Sequence, residues 1–119
     1  MRSGVTGVIA ALAAAVLTAG GAGAHHGWSG YDAKQPLTLT GTIRGSGYEH
    51  PHGHLTLEVP GKVWHVVLAP PSRMERRGLA AAALAPGGTA TVVGYPHRTE
   101  PGELRAERIT IGDTTVELR

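Results

Sequence analysis

From Leu37 onward, apolar and polar residues alternate in short runs divided by Gly and Pro, the period-two signature of half-buried strands. In LTLTGTIRG, Leu37, Leu39, Gly41 and Ile43 fall on one face and Thr38, Thr40, Thr42 and Arg44 on the other. This predicts strand β1, with Gly45 and Gly47 free to bend or bulge it. Tyr48 to Gly53 reads as a turn. Strand β2 follows, with Leu55, Leu57 and Val59 inward and His54, Thr56 and Glu58 outward. Pro60-Gly61 turns the chain into β3, Lys62 to Ala69, whose inner set is Trp64, Val66 and Leu68. A two-residue turn pairs Leu57 with Trp64 and Leu55 with Val66, so both apolar faces coincide. The same register makes His54 and His65 diagonal neighbours on the outer face, with His52 near the rim.

Pro70-Pro71 stops β3, and Ser72-Arg73-Met74-Glu75 has the S-x-x-E form of a capping box. It predicts a short helix from Arg73 to Arg77 that ends at Gly78, with a further helical turn over Ala80 to Leu84. TATVVGY predicts β4, Glu103 to Ile111 predicts β5, and Gly112-Asp113 turns into a last strand, Thr114 to Leu118, with Val116 opposite Ile109. The fold class expected is all-β with one short helix. The order β-β-β-α-β-β plus a short C-terminal strand is that of a small OB-fold-like Greek-key barrel. A sandwich calls for about seven strands. A simple β-roll is the fallback.

The first 24 residues break the pattern. Arg2, an apolar run from Val5 to Leu17 and a small-residue end through Ala22-Gly23-Ala24 have the three parts of a Sec-type signal peptide, and the run is short for a bilayer span. The domains expected are therefore a signal peptide over 1–24, an N-terminal arm over 25–36 and an OB-like barrel over 37–119. Cleavage after Ala24 gives a periplasmic or secreted chain with no stable membrane anchor and a net charge near +1 once Arg2 is gone. So small a charge gives little counterion-release affinity for nucleic acid, and none is expected as a partner.

Cysteine is absent, which removes disulfides, thiolate metal sites and cysteine nucleophiles. Histidine, at seven, is the unusual component, clustered at 25/26 and 50/52/54. After cleavage, His25 offers its free amine and ring Nδ1 to one ion, and one further imidazole completes a T-shaped set of three nitrogens. His26 is able to join through its own ring and the intervening amide. Planar, nitrogen-rich coordination without sulfur favours Cu(II). His52 is the expected distant ligand, followed by His50 and His54, with His65 and His97 after them. Tyr31-Asp32 is read either as an outer partner that orients an imidazole or as a turn cap and a cover for the barrel end. Arg73, Arg76 and Arg77 are read as a solvated helix face, and Trp28 and Trp64 as packing residues. Ser-His-Asp spacing, a phosphate loop and H-E-x-x-H are all missing from the sequence, so hydrolase and nucleotide readings have no support.

His25, His26, Tyr31, Asp32, Pro51, His52, Gly94 and Pro96 together resemble a family of small exported bacterial proteins whose domain is of unknown function. Its pattern is HH after the signal peptide, a hydrophobic-YD-like segment, an Asn-Pro-His turn and a late G-x-x-V-x-V-x-G-x-P strand. Position 50 departs from it, with His where the family usually has Asn. The resemblance implies periplasmic residence and draws attention to His25, His26 and His52; it implies no activity.

The function expected is transition-metal binding, copper first, through His25, His26 and the β1–β2 turn, for storage, delivery or tolerance rather than catalysis. The alternative is an interaction module that holds a peptide, glycan or periplasmic partner protein on the outer β2–β3 face, around His54, Val63, His65 and Val67.

Overall fold

The computed structural model describes residues 27–119. The expected signal peptide, its cleavage site, His25 and His26 lie outside the described residues. Residues 27–30 form a bend and turn of the N-terminal unit, and the barrel unit begins at Tyr31.

The elements are β1 (Leu37–Gly47), β2 (His54–Val59), β3 (Lys62–Val67), α1 (Pro71–Arg76), a 3-10 turn (Ala81–Leu84), β4 (Thr89–Pro96), β5 (Glu103–Ile111) and β6 (Thr114–Glu117). The sheet order is β3-β2-β1-β4-β5-β6, and β3 also pairs with β5 in parallel. That last pairing closes five strands into an OB-type barrel, as the element order predicts.

The predicted hairpin register holds, with Leu57 opposite Trp64 and Leu55 opposite Val66. Gly61, with φ at +80°, supplies the left-handed backbone this turn needs. The register of β1 against β2 shifts between Ile43 and Gly45, which is the bulge anticipated near the two glycines. Val116 pairs with Ile109, as expected for the last hairpin.

The inner row Leu55–Val66–Leu104 is completely buried. Ile43, Leu57, Val92 and Ile109 extend it, and Met74, Leu79 and Leu84 from the helical segment plug the barrel. Each such side chain contributes about 1.5–3 kcal/mol on burial, so a core without Phe is still sufficient. Trp64 packs against the rim of this core, with the Lys62 ammonium 4.1 Å from its ring centroid.

The helix corrects one expectation. It starts at Pro71 rather than Arg73, Pro70 stands at the N-cap, and no side chain caps it. The Arg73 and Met74 amides donate to the Pro70 carbonyl at 3.0 and 3.1 Å. A proline in the first turn has its φ already set and lacks the N–H that would be orphaned there, so Pro71 displaces Ser72 from the capping position. The other end follows the prediction, with Gly78 at φ +93° just beyond Arg77.

The arginines do more than face water. Arg73 Nη1 donates to the Leu118 carbonyl at 3.0 Å, and Arg77 Nη1 donates to the carbonyls of Glu117 and Arg119 at 2.7 and 3.1 Å. They tie α1 to the end of β6.

Candidate functional site

The closing of β3 onto β5 builds one outer wall from three strands. Residues paired across a ladder point the same way. His54, Val67 and Arg105 therefore form one outer row, and Thr56, His65 and Glu103 the next. The loops flanking this wall are β1–β2, which carries His50 and His52, and β4–β5, which carries His97. In an OB-fold, this face and these loops are where ligands are usually held.

Tyr31 is fixed onto the wall. It forms a β-bridge with His97, and the Asp32 amide donates to the Pro96 carbonyl at 2.8 Å. The Tyr31 ring meets the His97 ring edge-on at 4.9 Å, and its hydroxyl donates to the Glu103 carboxylate. Asp32 takes the turn-cap role, accepting from the Lys34 amide at 3.0 Å and from Gln35 Nε2 at 2.6 Å. Those two hydrogen bonds hold its carboxyl below the usual carboxylate range.

Burial, first, and the bond to Glu103, second, push the Tyr31 phenol above its ordinary value. A group whose pKa is raised by folding contributes stability that is whole below its unfolded value and lost above it. For tyrosine that loss begins as pH rises past about 10. Tyr48 and Tyr95 are raised in the same direction, so part of the alkaline slope belongs to them. Tyr31→Phe is expected to lower stability at pH 8, through loss of the Glu103 bond, and to flatten its decline between pH 10 and 12. Urea unfolding of both proteins across that range measures it.

Arg105 is only 6% exposed although it lies on the outer side of β5. Its guanidinium sits 6.0 Å from the Tyr31 ring centroid, and Nη2 lies 3.2 Å from His52 Nε2. A guanidinium has only donors, so His52 Nε2 accepts and its ring proton is on Nδ1. An ion bound at Nε2 would have to displace a fixed cation. Burial draws the Arg105 pKa down from its ordinary value, yet a guanidinium stays charged throughout the working range.

The remaining histidines divide into separate settings. His97 Nδ1 accepts from the amides of Thr99 and Glu100 at 3.1 and 3.0 Å, so its lone pair caps the β4–β5 loop. His50 is exposed. His54 and His65, the predicted diagonal pair, have ring centroids 5.5 Å apart. Among the described residues, no three His, Asp or Glu side chains stand together as a metal site. Val63 is 53% exposed and His65 is exposed, with Val67 and His54 half-buried beside them.

Sequence reading assigns no role to Glu103 or Arg105. Both flank Leu104 in an ordinary alternating strand, and nothing local reveals that β5 will lie beside β3.

Residues 12–104 match the Family of unknown function (DUF6152). The chain belongs to that family. The match takes in β1 to β4, the β1–β2 loop and Tyr31, and ends at Leu104 in β5. No curated protein matches the sequence. Among solved structures, the S. pombe Stn1–Ten1 complex is similar at a TM-score of 0.53 and 20% identity, over 66% of this chain and 59% of that one. The complex of TiaS with tRNA and ATP is similar at 0.52 and 18% identity, over 75% of this chain and 20% of that one. At these identities the likeness is one of fold, an OB barrel, and reaches no further.

Proposed function

We propose that the mature chain is an exported barrel that binds a transition metal, copper foremost, between its N-terminal histidine and the histidine-bearing wall, for storage, delivery or tolerance. The observation that carries this reading is the anchorage of Tyr31 on the wall beside His97, Glu103 and Arg105. Tyr31 is six residues after His25, a length of chain that reaches at most about 20 Å. Cleavage after Ala24 would therefore leave the free amine no farther than that from Tyr31. His25 and His26 would supply the chelate, and His52 is the wall ligand anticipated from sequence, at the cost of parting from Arg105. His50 and His54 stand behind it as reserve donors.

The test is Cu(II) titration of protein with a mass-verified His25 terminus against protein with three alanines placed before it. Tight one-to-one binding that the extension abolishes supports the reading. Equal binding by both proteins overturns it.

A second reading rests on Val63. A half-exposed valine on the outer side of β3, opposite Glu58 and one outward position before His65, is what a surface that docks a peptide, glycan or partner protein would present.

A further inference from the structure

His54 and His65 are imidazoles of the barrel that stand beside each other, brought together by the β2–β3 register. Two imidazoles sharing one ion at metal–nitrogen distances near 2.0–2.1 Å, at angles from tetrahedral to trigonal, have ring centroids roughly 5 to 5.5 Å apart. The separation found is 5.5 Å. The centroid spacing thus matches that of two imidazoles sharing an ion.

A carboxylate lies at the edge of the pair. The Cβ that Gly47 lacks would fall 2.6 Å from His54 Nε2 and 2.8 Å from Glu49 Oε1. The imidazole and the carboxylate therefore both lie over the bare backbone of Gly47, in space that the Cβ of any larger residue would contest. Glu49 and His65 are exposed, so bringing a third donor to the ion requires rotation of surface side chains, which takes nanoseconds or less, and no movement of strands.

The environments of the other histidines point the same way. His52 Nε2 accepts from a guanidinium, and His97 Nδ1 is spent on two amides. His54 and His65 have the imidazole setting that a divalent ion can enter without displacing a fixed cation or uncapping a loop. Two nitrogens and one carboxylate oxygen suit Zn(II) or Cu(II), with water completing the shell.

We infer that His54 and His65 form a two-imidazole divalent transition-metal site on the barrel wall, to which Glu49 is brought as third donor only by side-chain rotation when an ion binds. This rests on the terminal-chelate reading only for the kind of ion brought to the wall; the site itself needs no free amine.

Zn(II) is the probe, since it does not displace backbone amide protons as Cu(II) does, and the protein is the one with three alanines before His25. Imidazole NMR signals are followed during titration. The expected result is one weak site that shifts the His54 and His65 rings together. Affinity falls at least tenfold in His54→Ala and in His65→Ala, less in Glu49→Gln, and not in His52→Ala. Circular dichroism and an unchanged melting temperature confirm that these surface variants fold. Binding that is absent, or that survives both His54→Ala and His65→Ala, overturns the inference. Failure of the terminal chelate reads out differently, as copper affinity unaffected by the extension.

Discussion

Gly94→Ala is expected to destabilise the barrel by about 3 kcal/mol and so to lower its melting temperature by roughly 10–20 °C. A Cβ at position 94 would lie 2.2 Å from the Arg105 carbonyl oxygen and 2.8 Å from Ala106 Cα. Both atoms are backbone of the neighbouring strand, and Gly94 is paired with Ala106 just after the ladder shifts register at Val93. The overlap can be relieved only by pushing β5 away from β4. That strand carries Leu104 inward and Glu103 and Arg105 outward, so core and wall would loosen together. Gly45→Ala is the matched control, since its Cβ would meet nothing within 4 Å. Its effect should stay within about 0.5 kcal/mol. Thermal unfolding of the two variants checks both numbers, and equal melting temperatures would show that the crossing of β4 and β5 is less tight than described.

The second large effect concerns affinity rather than stability. Three alanines ahead of His25 are expected to weaken Cu(II) binding by at least about 100-fold, since loss of even an outer partner of a metal ligand costs about 10–100-fold. The chemistry is direct: the amine lone pair that closes the chelate becomes an amide nitrogen, which does not bind a metal until it gives up its proton. Three residues are needed. One or two would leave a histidine in third position, where amine, two amides and imidazole make a square-planar copper site of their own. Competition titration against a chelator of known affinity measures the change. An effect under threefold would remove the terminus from the site.

The fold is legible in the sequence wherever signals are local. Pro60-Gly61 sets a two-residue turn, and its register then follows from matching Leu55 and Leu57 with Val66 and Trp64. The span of β5 and the pairing of Val116 with Ile109 are readable for the same reason. The start of α1 departs from the sequence expectation because two rules compete there. Ser72 and Glu75 have the spacing of a capping box, but Pro71, with its φ already set, begins the helix sooner.

The candidate site is only half legible. The His54–His65 neighbourhood follows from one hairpin and can be read from it. The company of His52 cannot, because Arg105 is 53 positions away and arrives through the parallel β3–β5 pairing. A strand that closes a barrel leaves no mark in its own sequence beyond alternation. The same closure explains Glu103, whose carboxylate receives the Tyr31 hydroxyl from 72 positions earlier. Of the two roles that the sequence offers Tyr31 and Asp32, the turn cap and the cover are the ones seen: Asp32 caps its turn, and Tyr31 is buried against the barrel beside His97.

The central claim is that an ion held at the mature terminus comes to rest against the β2–β3–β5 wall. Paramagnetic broadening of backbone amide signals by one equivalent of Cu(II) tests it most directly. The signals of His54, His65 and Glu103 are expected to be lost. The signals of Thr110 and Thr115 should stay sharp, since seven residues of strand separate Glu103 from Thr110, about 23 Å along β5. Broadening confined to residues 25–30, with the wall untouched, would contradict it.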